Sequence, residues 1–180
     1  MTSPLDPVEI YPDVVRVLVP NASMMTGSGT NSYLVGSKAL VVIDPGPDDA
    51  EHVGKLAELS AGRLAYILVT HHHPDHAPGA ARLAAMTGAP ILSFGTVPSS
   101  PFVTVVPDRA LADGDVVAVT GLSLTALHTP GHTSDHLSFV ANFDEGRGAP
   151  RVLFSGDTVI GGQSSPGRQS GARNHQLHGP

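Results

Sequence analysis

The order of apolar runs along this chain predicts an α/β domain, with two packed sheets and helices on their outer faces. Three observations carry that prediction. Strands come first, then helix, strand, helix and a long β-rich run, the order of a layered domain. Apolar residues make up 41% of the chain, enough to build a core. No internal repeat appears at solenoid periods. At 180 residues, the length is that of one domain.

Each element follows from local pattern. Residues 14–19 (VVRVLV) read as a strand. Residues 30–35 and 39–44 read as a hairpin broken at Gly36-Ser37. Over 48–60, Val53, Leu56, Ala57 and Ser60 recur at helical spacing. Asp48 and Asp49 suit that helix's first turn, Gly62 lies past its end, and His52 is expected to face solvent. Residues 64–70 (LAYILVT) form a buried-type strand, 79–86 a short Ala-rich helix stopped by Gly88, and 90–94 a strand. Residues 102–106, 116–119, 122–128 and 136–140 are β-rich, and 152–155 are the last strand. The domain is expected to span residues 1–162. Residues 163–180 have Leu177 as their only large apolar side chain and read as a disordered Gly/Ser/Gln-rich tail.

Composition excludes several functions. The chain has no cysteine, which removes disulfides, thiolate catalysis and Cys-ligated zinc. A net charge of −6 and the absence of any Lys/Arg run argue against duplex DNA as a partner. RNA contact is left open but not favoured. No apolar run reaches the roughly 18 residues of a membrane span. The acidic, Pro-containing start lacks the charged and apolar regions of a signal peptide, so the expected location is cytoplasmic.

The chemistry concentrates in Thr70-His71-His72-His73-Pro74-Asp75-His76, directly after an apolar strand. Near a strand end, positions two apart project to the same side. His71 and His73 can therefore aim at one point, while Asp75 and His76, arriving as the chain turns, approach a second. Two neighbouring points served by one segment suit a two-metal site. A polar loop or an engineered tag is the plainer alternative, but tags are terminal and this run is internal. Two later clusters sit at strand ends: Thr129-Pro130-Gly131-His132-Thr133 and Ser155-Gly156-Asp157-Thr158. Gly131 frees the backbone to bring His132 inward, giving a three-His set of the catalytic zinc type. Asp157 has two oxygens with which to bridge metals, or it is simply a turn residue. His72 is expected to point away, and His128 and His136 are read as structural supports.

The HxHxDH segment, the PGHT at 130–133 and the SGDT at 155–158, in that order, resemble the metallo-β-lactamase superfamily. Residues 29–35 (GTNSYLV) and 42–46 (VIDPG) are similar to segments of its glyoxalase-II-like and β-lactamase-like-protein-2 branches. The resemblance covers residues 14–162. It implies an αββα sandwich with metals at one edge between the sheets, here with its C-terminal helices incomplete. It implies that His71, His73 and His132 hold one metal, that Asp75 and His76 hold a second, that Asp157 bridges, and that Asp44 orients a ligand histidine from behind. Two Zn2+ per chain are expected, with Mn2+ or Fe2+ as alternatives. Family members continue past the SGDT segment to a PGHGP-like end whose histidine completes the second metal site. The final His178-Gly179-Pro180 resembles that end without the elements between, and is read as coincidence or as the mark of a truncated or altered chain.

The implied activity is hydrolysis of a small acyl substrate (a thioester, ester or lactone) by a metal-bound hydroxide, with Asp75 and His76 as catalytic groups. Two alternatives accompany it: a single-strand RNA endonuclease of the same fold, and a metal-binding but catalytically impaired relative. Neither the physiological substrate nor the oligomeric state is readable from the residues.

Overall fold

A computed structural model describes residues 3–95, 105–143, 151–160 and 163–164. The first sheet contains β1 (Val8–Tyr11), β2 (Val14–Leu18), β3 (Asn31–Val35), β4 (Leu40–Ile43), β5 (Leu64–Leu68), β6 (Ile91–Phe94) and β7 (Arg109–Leu111), in that spatial order. Neighbours from β1 to β4 are antiparallel, and those from β4 to β7 are parallel. Parallel neighbours need crossovers. Helix α1 (Ala50–Ser60) joins β4 to β5, and α2 (Gly79–Thr87) joins β5 to β6. The second sheet is antiparallel, in the order β11 (Val152–Phe154), β10 (Leu137–Phe143), β9 (Leu122–His128), β8 (Val116–Val119). A 3₁₀ turn, Gly156–Thr158, follows β11 and leads into the short pair β12 (Val159–Ile160) and β13 (Gln163–Ser164).

Two cores hold these layers together. Between the sheets, Val35, Val41, Ile43 and Leu68 meet Leu122, Leu124, Leu137 and Phe139. Under the helices, Val42 and Ile67 pack with Val53, Leu56, Ala80 and Leu83. All four residues of β4 are buried, because both faces of that strand are covered. In β9, Leu122, Leu124 and Ala126 are buried while the residues between them are partly open, the period-two signature of a strand covered on one face. Among the described residues no helix covers the outer face of the second sheet, where Val116 and Leu153 stand exposed. Nor is any helix there long and apolar enough to cross a membrane.

The helix boundaries have local causes. Asp49 caps α1, its carboxylate accepting the amide N–H of His52 at 2.8 Å. Gly88, at φ +75°, ends α2 in the left-handed conformation.

The structure departs from the sequence prediction at β1, β7 and His52, and two further expectations fall largely outside the described residues. Strands β1 and β7 were not foreseen, being short edge pieces of weak pattern. Residues 102–104 of the expected strand at 102–106 lie outside the described residues, and Val105 and Val106 join no strand. His52 is fully buried rather than solvent-facing, because it lies on the stripe His52–Leu56–Ser60 that α1 turns inward. Of the expected tail, Gln163–Ser164 pair as β13, and residues 165–180 lie outside the described residues.

Candidate metal centre

One edge of the molecule gathers the chemistry. The ends of β4, β5, β9 and β11 and the start of β3 all open there, bringing together loops from five parts of the chain. The segment after β5 turns back on itself, the amides of His76 and Ala77 both donating to the His73 carbonyl, at 3.0 and 3.1 Å. That turn separates His71 and His73 from Asp75 and His76.

The first donor group is His71, His73, His132 and Asp157, whose ligand atoms all lie within 4.8 Å of one another. His73 Nδ1 stands 3.1 Å from His71 Nε2 and 2.9 Å from His132 Nε2. Asp157 Oδ2 lies 3.4 Å from His132 Nε2 and 4.0 Å from His71 Nε2. Nitrogens held tetrahedrally at about 2.0–2.1 Å from zinc stand roughly 3.3 Å apart, so this spacing and this nitrogen/oxygen chemistry fit one such ion. The second group is smaller. His76 Nε2 lies 3.3 Å from Asp75 Oδ2 and 3.4 Å from Asp157 Oδ1. Asp157 thus turns one oxygen to each group.

The surroundings aim these donors. Asp44 Oδ1 accepts the Thr70 amide at 2.8 Å, and Oδ2 accepts the Thr70 hydroxyl at 2.7 Å. His76 Nδ1 lies 2.9 Å from the same Oδ2. A carboxylate only accepts, so Thr70 gives its proton to Asp44 and must accept from His71 Nδ1, 2.9 Å away. That assignment turns the Nε2 lone pair of His71 toward the donor group. Thr30 Oγ1 donates to Asp75 Oδ2 at 2.8 Å, and the Asn21 amide side chain in turn holds Thr30 through Oγ1 and N. His136, fully buried, accepts the Asp157 amide N–H on Nε2 at 3.2 Å, so it supports the Asp157 backbone. Gly156 is required beside it: at φ +48°, a Cβ there would lie 2.6 Å from His136 Nε2.

Electrostatics follow the same division. Burial, reinforced by the neighbouring imidazoles, drives the His71 pKa far down and keeps the ring neutral. Burial likewise lowers His73, with His132 adding to the effect, and pushes His136 down to about 4. For His76, burial acts downward but is outweighed by the Asp44, Asp157 and Asp75 carboxylates, which raise it well above the ordinary range. Burial pushes Asp75 up, yet bonds from His76 and Thr30 hold it well below the usual carboxylate range. Three carboxylates around one imidazole make this a place for positive charge.

All six sequence-derived donors therefore lie at one edge. His72 turns away, its Nδ1 2.6 Å from Asp135 Oδ1 in an approach outside hydrogen-bond geometry. His128 stacks on Phe94 at 4.4 Å and meets the Ser134 carbonyl at 2.9 Å. His175 and His178 lie outside the described residues. Sequence reasoning did not single out Thr30, Asn21 or Thr70 for a role. Thr30 was visible only as part of the GTNSYLV resemblance, and Thr70 only as the neighbour of His71. A cleft of about 420 Å³ opens beside the second group, bounded by Met24, Met25, Tyr33, Asp75, His76 and Asp157.

The comparisons with known proteins agree with this arrangement. The family model described as the metallo-beta-lactamase superfamily matches residues 25–177. The chain is 37% identical over 166 residues to a lactamase-like protein of Emericella nidulans, covering 89% of this chain and 50% of that protein. It is 38% identical over 168 residues to an atrochrysone carboxyl ACP thioesterase of Paecilomyces divaricatus, covering 88% and 48%. The chain spans about half the length of these curated relatives. Among solved structures it is similar to a subclass B3 metallo-β-lactamase of Bradyrhizobium japonicum (TM-score 0.68, 25% identity, 91% of this chain and 68% of that one). A metallo-β-lactamase from Novosphingobium pentaromativorans gives a TM-score of 0.64 at 28% identity, covering 82% of this chain and 59% of that one.

Proposed function

The chain belongs to the metallo-β-lactamase superfamily, and from that premise we propose that it is a metal-dependent hydrolase of a small acyl substrate, a thioester before an ester or lactone. The observation that carries the reading is the convergence of His71, His73, His132 and Asp157 within 4.8 Å, with the second Asp157 oxygen turned to His76. The thioesterase named among the relatives favours a thioester, and the methionine-rimmed cleft offers an apolar acyl chain a surface.

In this reading His71, His73 and His132 hold one divalent cation, Asp75 and His76 hold a second, and Asp157 is shared. Zinc is the expected ion, with manganese or iron as alternatives. Such ions supply Lewis-acid chemistry, lowering the pKa of water from about 16 toward 7. Asp75, kept ionised and fixed by Thr30, orients the attacking water. His76 is a catalytic group through its position beside the cleft, its Nδ1 committed to Asp44. Thr70 and Asp44 fix the ring of His71, so that no reorganisation is needed during reaction. No protein nucleophile takes part, in keeping with a chain that has no cysteine.

The test is metal content by mass spectrometry on protein never exposed to chelator, followed by hydrolysis assays on acyl thioesters, lactones and single-stranded RNA. Two metals per chain and thioester turnover are expected. No metal in folded protein overturns the reading, and turnover of RNA alone replaces the substrate class. A second reading, an impaired relative that binds metal without turning over, rests on the donor count. Among the described residues, the second group has His76, Asp75 and the shared Asp157. One metal per chain with no turnover would select it.

A further inference from the structure

His52 belongs to none of the donor groups, yet it is fully buried under the first sheet. Among the described residues its Nδ1 has no hydrogen-bond partner. A leucine at this position would leave no buried nitrogen unsatisfied, so the imidazole points to a use for its other nitrogen. That nitrogen, Nε2, lies 2.8 Å from Ser32 Oγ. Ser32, also fully buried, donates its hydroxyl proton to the main-chain carbonyl of Asp44 at 2.5 Å. The direction of the whole chain is then set: His52 Nε2–H donates to Ser32, and Ser32 donates to Asp44.

Asp44 is where such a hold is needed. It lies at φ +52°, one of three non-glycine residues with positive φ among those described. It also precedes Pro45, and a residue before proline is driven toward extended backbone. Left to its preferences, Asp44 would continue the line of β4 and carry its carboxylate elsewhere. Instead the carboxylate turns back to meet Thr70 N, Thr70 Oγ1 and His76 Nδ1.

We propose that Ser32 and His52 are positioning residues that clamp the Asp44 carbonyl, hold its backbone in the left-handed conformation, and so aim the Asp44 carboxylate at Thr70 and His76. The clamp reaches from α1 through β3 and the end of β4 to both donor groups, directly at His76 and through Thr70 at His71. For its consequence at the ions, this inference rests on the metal reading above.

The Thr70 amide reports on the clamp without any metal, because it donates to the Asp44 carboxylate. The adjacent Val69 amide, bonded to the Leu92 carbonyl at 3.0 Å, serves as the control. Amide hydrogen exchange is followed by NMR on the full chain for wild type, Ser32→Ala, His52→Leu and His52→Gln, with metal content measured on the same samples. Ser32→Ala and His52→Leu should speed Thr70 exchange about tenfold or more and leave Val69 within about twofold. His52→Gln, which keeps a donor, should stay nearer wild type. Metal content in the first two variants should fall from two per chain toward one. Thr70 and Val69 accelerating together, or neither accelerating, overturns the clamp and reduces the two residues to core packing. Selective acceleration at Thr70 in a protein that takes up no metal upholds the clamp and sinks the metal reading instead.

Discussion

The two donor groups are built in opposite ways. His71, His73, His132 and Asp157 come from three loops far apart in sequence, and His73 Nδ1 stands 3.1 Å from the His71 ring and 2.9 Å from the His132 ring. Asp75 and His76 come from one turn, and each is tied to a residue behind it, Asp75 to Thr30 and His76 to Asp44. The first group has many donors, arranged by the meeting of the two sheets. The second has few donors, each held by a hydrogen bond. A site assembled by tertiary packing depends on every loop being in place. A site assembled within one turn depends on the residues that orient it.

Asp157 belongs to both groups, so its substitution should have the largest effect. Asp157→Asn is expected to lower metal content at both positions and cut thioester turnover by well over about a hundredfold, more than loss of an orienting residue costs. Retention of two metals by this variant would show that the groups do not share it. His132→Ala should remove the first metal and abolish turnover while leaving the second group able to bind. Metal analysis with circular dichroism would check both points, and equal loss at both positions would erase the distinction drawn here.

A third prediction concerns stability. His52 sits in the fold with a pKa near 4 against an ordinary 6.5, lowered by burial and only partly offset by Asp49. The unfolded chain therefore takes up the proton first. The contribution of neutral His52 is fully present above about pH 6.5 and falls away as pH drops toward 4, a loss of about 3 kcal/mol. Chemical denaturation of wild type and His52→Gln across that range should give a shallower slope for the variant. Parallel curves would mean that His52 does not carry the dependence. The smallest effect is expected at Thr30→Val, which frees Asp75 without removing a donor. Turnover should drop about tenfold with metal content near that of wild type.

Much of the site was legible because it is local. His71, His73, Asp75 and His76 fall within six positions after an apolar strand, and strand geometry alone separates them into two sets. His132 and Asp157 were singled out because each follows a strand, His132 with Gly131 beside it to free the backbone and Asp157 with two oxygens to share. His52 was misjudged because α1 was read from Val53, Leu56, Ala57 and Ser60, a stripe that shares Leu56 and Ser60 with the one His52 lies on. The stripe 52, 56, 60 runs through the same helix, and choosing between two overlapping faces requires knowing which one the sheet covers. Thr30 and Asn21 were missed for a related reason. Their role exists only because the start of β3 lies beside the turn after β5, 45 residues away along the chain at the Thr30–Asp75 bond.

The sequence by itself determined the order of the strands and helices other than β1, β7 and the β12–β13 pair, the donor types, and the lack of cysteine in these 180 residues. Hydrophobic period and residue chemistry are properties of short segments. The tertiary structure alone decided which oxygen of Asp157 faces which group, which tautomer His71 adopts, and why Asp44 departs from extended backbone. Those depend on hydrogen bonds between segments that the chain brings together only when both sheets and α1 have packed.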